Sequence, residues 1–150
     1  MARQLGLPSA LALSLIAGSL VQRKTMSLAA AQETLLENIA ASKEHRLFAV
    51  VWEWTLTELC AAYASAGNWE QAADYARQRL QAHEDESLLS MGLAGWYETE
   101  ALLRGGDGDL ARAEVERLAG IVGNNRRYRL ILLRSQAVLA QWDGDVGSRP

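Results

Sequence analysis

The chain has a single cysteine, Cys60, among 150 residues. That excludes an intrachain disulfide framework and a cysteine-cluster zinc site. Histidine is almost as scarce. His45 and His83 have no cysteine, nucleophilic serine or second histidine at helical spacing, so neither a metal site nor acid-base chemistry is indicated. Proline occurs only at Pro8 and Pro150. The long run between them lacks the strongest helix breaker. Charge of one sign is also lacking: the formal net charge is −3. A generally basic nucleic-acid binder is therefore disfavoured, and so is a disordered polyelectrolyte. What is present is ordinary for a folded domain, with 49% hydrophobic and 22% charged residues. Residues 1–150 suffice for one domain with a core. Abundant Ala, Leu, Glu, Gln and Arg point to helices.

The hydrophobic period is helical throughout. Phe48, Trp52, Leu56, Leu59 and Tyr63 fall at steps of three and four, as do Trp69, Ala72, Ala73, Ala76 and Leu80. Tyr128, Ile131, Leu132, Ser135, Val138, Leu139 and Trp142 form a third such face. No stretch alternates with period two long enough for a strand. Ala66-Gly67-Asn68 reads as a stop and a restart, with glycine ending one helix and Asn68 capping the next. Gln71 stands at capping-box spacing from it. Gly105-Gly106-Asp107-Gly108-Asp109 is a second break with Asp109 as cap, and Asp143-Gly144-Asp145 a third. Softer breaks fall at 23–27, 42–46, 83–87 and 123–125. The pattern predicts seven antiparallel helices over 5–22, 27–42, 46–66, 69–83, 87–104, 110–122 and 126–142.

A Gly-Asn or Gly-Asp pair recurs at 67–68, 108–109 and 144–145. A period in the high thirties is the mark of stacked helical hairpins. The reason is burial, since one hairpin cannot hide both apolar faces but a row can. Leu56, Leu59, Cys60, Tyr63, Gly67-Asn68-Trp69-Glu70, Ala72, Tyr75 and Leu80 resemble a tetratricopeptide repeat. In that family a first helix carries a large residue, Leu, a small residue and Tyr. A Gly-Asp/Asn-aromatic-Glu turn follows, then an alanine where the helices cross. Cys60 matches the small residue and Ala72 the crossing alanine. Arg79 departs, standing where a second small residue is usual, and no proline closes the unit near Glu84. The second unit matches at Gly108-Asp109 and Ala113, and the third stops after its turn. The resemblance implies an all-α, right-handed α-α superhelix, a solenoid of about seven helices.

The irregular period is similar to the degenerate helical-repeat arms of MalT-like and LuxR-type ATP-dependent regulators, and of bacterial adenylate cyclases with an ATPase module. Neither a Gly-x-x-x-x-Gly-Lys-Ser/Thr phosphate loop nor a terminal helix-turn-helix is found, so the chain would be one arm or a piece of one. The resemblance implies a non-catalytic scaffold for a protein or peptide, with a small-molecule effector as the alternative ligand.

Gln4 to Gln22 carries no charge and follows Arg3, which is similar to a signal peptide, with Ala29-Ala30-Ala31 as a cleavage site. Arg23 and Lys24 argue against that, and Pro8, Ser9, Ser14, Gly18 and Ser19 dilute any membrane span. A buried first solenoid helix is the favoured reading, hence a cytoplasmic protein without membrane or direct nucleic-acid contact. If the segment is a signal, an exported envelope repeat protein is the alternative. Gly105 to Asp109 lacks the ligand series of a calcium loop, because Leu110, Ala111 and Arg112 follow. Glu84-Asp85-Glu86 suits a helix start. Arg126, Arg127, Arg129 and Arg134 are read as pairing with Glu114 and Glu116, or as a patch for an acidic partner surface or a phosphate.

Trp52 and Trp54 cannot share a helix face, being about 200° apart. The repeat alignment turns Trp54, Thr57, Ala61 and Ala64 into the groove lined by the first helices, with Ile131, Arg134, Val138 and Gln141 as the matching positions of the third unit. Trp54, Thr57, Ala61, Arg127, Arg134 and Val138 are therefore the candidate partner-binding residues. No catalytic residue, metal or cofactor is expected. Apolar residues on more than one face of the first helix (Leu11, Leu13, Leu15, Ile16), and on the last, lead to an expectation of self-association through an end or docking onto a domain of a longer parent protein.

Overall fold

The computed structural model describes residues 8–45, 49–81, 96–123 and 125–147. Among these residues there are seven α-helices and no strand. They are α1 (Pro8–Lys24), α2 (Leu28–His45), α3 (Ala49–Ser65), α4 (Trp69–Gln81), α5 (Trp96–Arg104), α6 (Gly108–Ile121) and α7 (Arg126–Gly147). The predicted stretch at 87–95, His83 and Glu84-Asp85-Glu86 lie outside the described residues, as do Arg3 and the side chains of His45 and Arg127.

Three turns explain the pairing. Each preceding helix ends on a residue in the left-handed region: Met26 at φ 63°, Gly67 at 77° and Gly106 at 87°. The next amide reaches back across the last helical turn. Ser27 N–H donates to Gln22 O at 2.8 Å, Asn68 to Tyr63 O at 3.0 Å, and Asp107 to Leu102 O at 2.8 Å. This is the hydrogen bond of a Schellman stop. The carbonyls of Ser27, Asn68 and Asp107 then accept from Ala31, Ala72 and Ala111 at 3.0, 3.1 and 2.9 Å. All three alanines are 0% exposed. Each alanine Cβ is fully covered at this place in its hairpin.

At the same place on each first helix, seven residues before the left-handed residue, a small side chain is buried, at Ser19, Cys60 and Thr99, and α7 buries Ser135. Cys60 packs in one cluster with Ala64, Ala72, Ala76, Ala101, Leu102, Leu103 and Ala111. Burial pushes its thiol well above the ordinary value, and the nearby Glu98 adds to the shift. The helices pack in a row. α1 lies on α2, α3 on α4 and α5 on α6, and each even helix also touches the odd helix that follows it. The odd helices touch one another in the order α1, α3, α5, α7. At Gly105 the α4–α5 approach is so close that a Cβ would stand 2.5 Å from the Ala73 Cβ.

The repeat register differs from the sequence expectation in three ways. In the second unit the matching pair is Gly106-Asp107, and the crossing alanine is Ala111. Asp109 and Ala113 are exposed on α6. The physical reason is that Gly106 supplies the left-handed conformation and Asp107 occupies the cap position, without a side-chain cap bond. Secondly, the first hairpin closes on Met26-Ser27, where no glycine signals a turn. Thirdly, Asp143-Gly144-Asp145 is helical, because α7 runs on to Gly147. Arg112 Nη2 donates to Asp143 Oδ1 at 2.6 Å and ties this stretch to α6. The exposed pair accompanies the helical course of this stretch. The predicted cap at Asn68 holds, with Gln71 N–H donating to Asn68 Oδ1 at 3.3 Å; at the softer break Asn125 also caps, its Oδ1 accepting from Tyr128 N–H at 3.4 Å.

Candidate functional site

The residues expected to line a groove on α3 are turned inward. α3 touches α1, α2, α4 and α5, so little of it faces water. Trp54 is half-buried against Ala12, Ile16 and Val51. Thr57, Ala61 and Ala64 are buried. The hydroxyl of Thr57 donates to Glu98 Oε1 at 3.1 Å. On α7, Val138 packs with Leu139 and Trp142 against the Cys60 cluster, while Arg134 is exposed. Glu114 is not the exposed partner expected for the α7 arginines. It turns into the core, and only Glu116 of that pair is exposed.

The most unusual chemistry is a buried ionic cluster at the centre. Its focus is Arg79 on α4, fully buried, at the position where the sequence departs from the small residue of a repeat. Ala72, Ala76 and Arg79 share the buried face of α4, so its burial follows from helical spacing. Arg79 Nε lies 2.6 Å from Glu98 Oε1 on α5, and its Nη2 lies 2.9 Å from Glu114 Oε1 on α6. Arg117, one turn after Glu114, grips it with two bonds of 2.7 and 2.8 Å. Such a two-pronged grip suits the guanidinium fork. Glu53 of α3 completes the cluster within the fields of Arg79 and Arg117.

Burial and charge pull these groups apart. Burial raises the Glu98 carboxyl above its ordinary value although Arg79 and the Thr57 hydroxyl favour its charged form. Glu53 is also raised by burial, against the attraction of the two arginines. For Glu114 burial acts upward, yet the hydrogen bonds from Arg117 and the charge of Arg79 outweigh it and hold the group below its usual value. Burial opposes the charge on Arg79, and Glu98 and Glu114 overcome it. The cluster ties four helices from two hairpins. Removing one member would leave buried charge uncompensated.

A second polar group lies where α1, α3 and α5 meet. Arg23 Nη2 is 3.0 Å from Glu58 Oε2, with both side chains largely buried. The same guanidinium stands 5.8 Å from the centre of the Tyr97 ring. Sequence reasoning used Arg23 only as a charge against a signal peptide and passed over Tyr97 and Glu58, although Glu58 sits within an apolar helix. Elsewhere Asp107 pairs with Arg77, which also holds Asp74. Among the described residues no group of three or more His, Cys, Asp or Glu is placed to hold a metal ion, and no helix is long and apolar enough to cross a membrane. No family model, curated protein or solved structure matches this chain.

Proposed function

We propose that the chain is a non-catalytic scaffold of tetratricopeptide-like helical repeats. Its odd helices form the inner row of a right-handed superhelix and present one continuous face to a protein or peptide. In this reading it serves as the sensing or assembly arm of a bacterial signalling or transcription regulator. The observation that carries the proposal is the recurrence of one turn. Positions 26, 67 and 106 share the left-handed residue, the back-reaching amide and the buried alanine four residues beyond the cap. The adjacency of α1, α3, α5 and α7 supports a row of odd helices. Arg23, Glu58 and Tyr97 lie along that row, and Trp54 borders it.

Selection of a displayed random-peptide library on the immobilised chain tests this. The proposal expects an enriched peptide family whose affinity falls at least tenfold on Trp54→Ala or Tyr97→Ala, with helix content unchanged. Absence of any enriched family, or binding indifferent to both substitutions, contradicts it.

A further inference from the structure

α7 has two apolar faces, and only one is used. Tyr128, Ile131, Leu132, Ser135, Val138 and Leu139 turn toward the protein. On the opposite side Leu130 and Leu133 are 53% and 54% exposed. Arg126, Leu130, Leu133, Ala137, Ala140 and Gly144 follow at alternating steps of four and three, and all are exposed. That spacing is the seam of a helix pair. Its two halves differ, with large side chains in the first and small ones in the second.

We propose that a second copy of this chain docks antiparallel along the exposed seam of α7, with two-fold symmetry, so that each exposed leucine lies on an exposed alanine. In this register Leu133 meets Ala137 of the second copy, Leu130 meets Ala140, and Arg126 lies over Gly144. Every apolar layer then pairs one large with one small side chain, which lets the helices approach closely and fill the space between them. A parallel pair would set leucine on leucine and alanine on alanine.

Charge favours the same register. Arg129 on the flank of one helix faces Asp143 of the other, and the symmetry makes this contact twice. Asp143 keeps Arg112 of its own chain on Oδ1. On the other flank Arg134 meets its own counterpart, a like-charge pair at the exposed rim that weakens the dimer. The contact is isologous and closes at two copies. One helix pair is a small interface, so association is weak and reversible. α7 is the last helix of the odd row, but this inference rests on its exposed seam alone, whereas the scaffold proposal is tested at Trp54 on α3 and Tyr97 on α5.

Sedimentation equilibrium on the full chain, with cysteine cross-linking, tests it. Cys60 is buried and does not interfere. The wild type should dimerise reversibly over micromolar concentrations. Leu133→Glu should raise the dissociation constant at least tenfold while helix content stays the same, because Leu133 is exposed. Gln136 sits beside the two-fold axis, so Gln136→Cys should cross-link to itself on mild oxidation. Leu130→Cys should not, because Leu130 faces Ala140. The proposal is overturned by a wild type that stays monomeric to several hundred micromolar, or by Leu133→Glu dimerising as well as wild type. Leu130→Cys cross-linking as readily as Gln136→Cys, or neither doing so, also overturns it.

Discussion

Asn38 on α2 and Arg79 on α4 occupy the same place in successive hairpins, each seven residues beyond its buried crossing alanine, and both are fully buried. Each bonds to the odd helix that follows. Asn38 Nδ2 donates to Thr55 Oγ1 at 2.8 Å, and the Thr55 hydroxyl donates in turn to Val51 O at 2.7 Å. That interface is neutral, and it leaves Asn38 Oδ1 buried without a hydrogen-bond partner. Arg79 instead engages two carboxylates on two helices. The matching residue of the third hairpin, Leu118, is buried and apolar. One backbone arrangement thus carries a neutral, an ionic and an apolar joint. The repeat geometry sets where a residue is buried, and its chemistry decides how hard the joint is to break and whether it responds to pH.

The largest expected effect comes from removing the ionic joint. Arg79→Met leaves Glu98 and Glu114 buried around a missing cation and should cost about 3–5 kcal/mol in urea unfolding. Adding Glu98→Gln should recover part of the loss. Next is Gly105→Ala, whose new Cβ meets Ala73 at 2.5 Å. Overpacking there should cost roughly 1–3 kcal/mol, relieved by a second substitution, Ala73→Gly. The neutral joint should be milder: Asn38→Leu should lose about 1–2 kcal/mol, because Thr55 keeps its bond to Val51.

The pH dependence separates the joints further. Glu98 is raised by burial, so its charged form opposes folding, and that opposition disappears as pH falls from neutral through its raised value. Wild type should therefore gain stability relative to Glu98→Gln over that interval. Glu114 is held low, chiefly by Arg117 and Arg79 overcoming burial. Its contribution is present above its unperturbed value of 4.5 and is lost as pH falls through the lower folded value. Denaturation of Asn38→Leu at the same series of pH values should run parallel to wild type. The smallest effect is Met26→Gly, which removes a left-handed non-glycine residue and should stabilise by about 1 kcal/mol or less.

Much of the helical pattern was legible. Asn68 caps where side-chain chemistry demands, and the start and apolar face of α4 follow its spacing. The buried places of Cys60 and Ala72 were legible because small residues at crossing points leave a fixed pattern. Other features were hidden for physical reasons. Met26 closes a turn with no glycine to announce it. Asp143-Gly144-Asp145 looks like a break, yet one ion pair to Arg112 accompanies its helical course. Trp54 looked open because spacing along one helix does not reveal the neighbour that α1 provides. The cluster escaped because its charges lie on four helices. The signal for Arg79 was nevertheless present, seven residues after Ala72 on an alanine face.

Residue-resolved native-state hydrogen exchange tests most directly the claim that the ionic joint fuses the two central hairpins. Repeat arrays open along their weakest interfaces, and exchange reads the free energy of each opening. The account predicts that the most protected amides of α3, α4, α5 and α6 open together at one free energy, with those of α1 and α2 opening at a lower one. In Arg79→Met the central unit should split, with α3–α4 and α5–α6 exchanging separately. Wild-type α4 and α5 opening at different free energies, or α1 and α2 as protected as the centre, would contradict it.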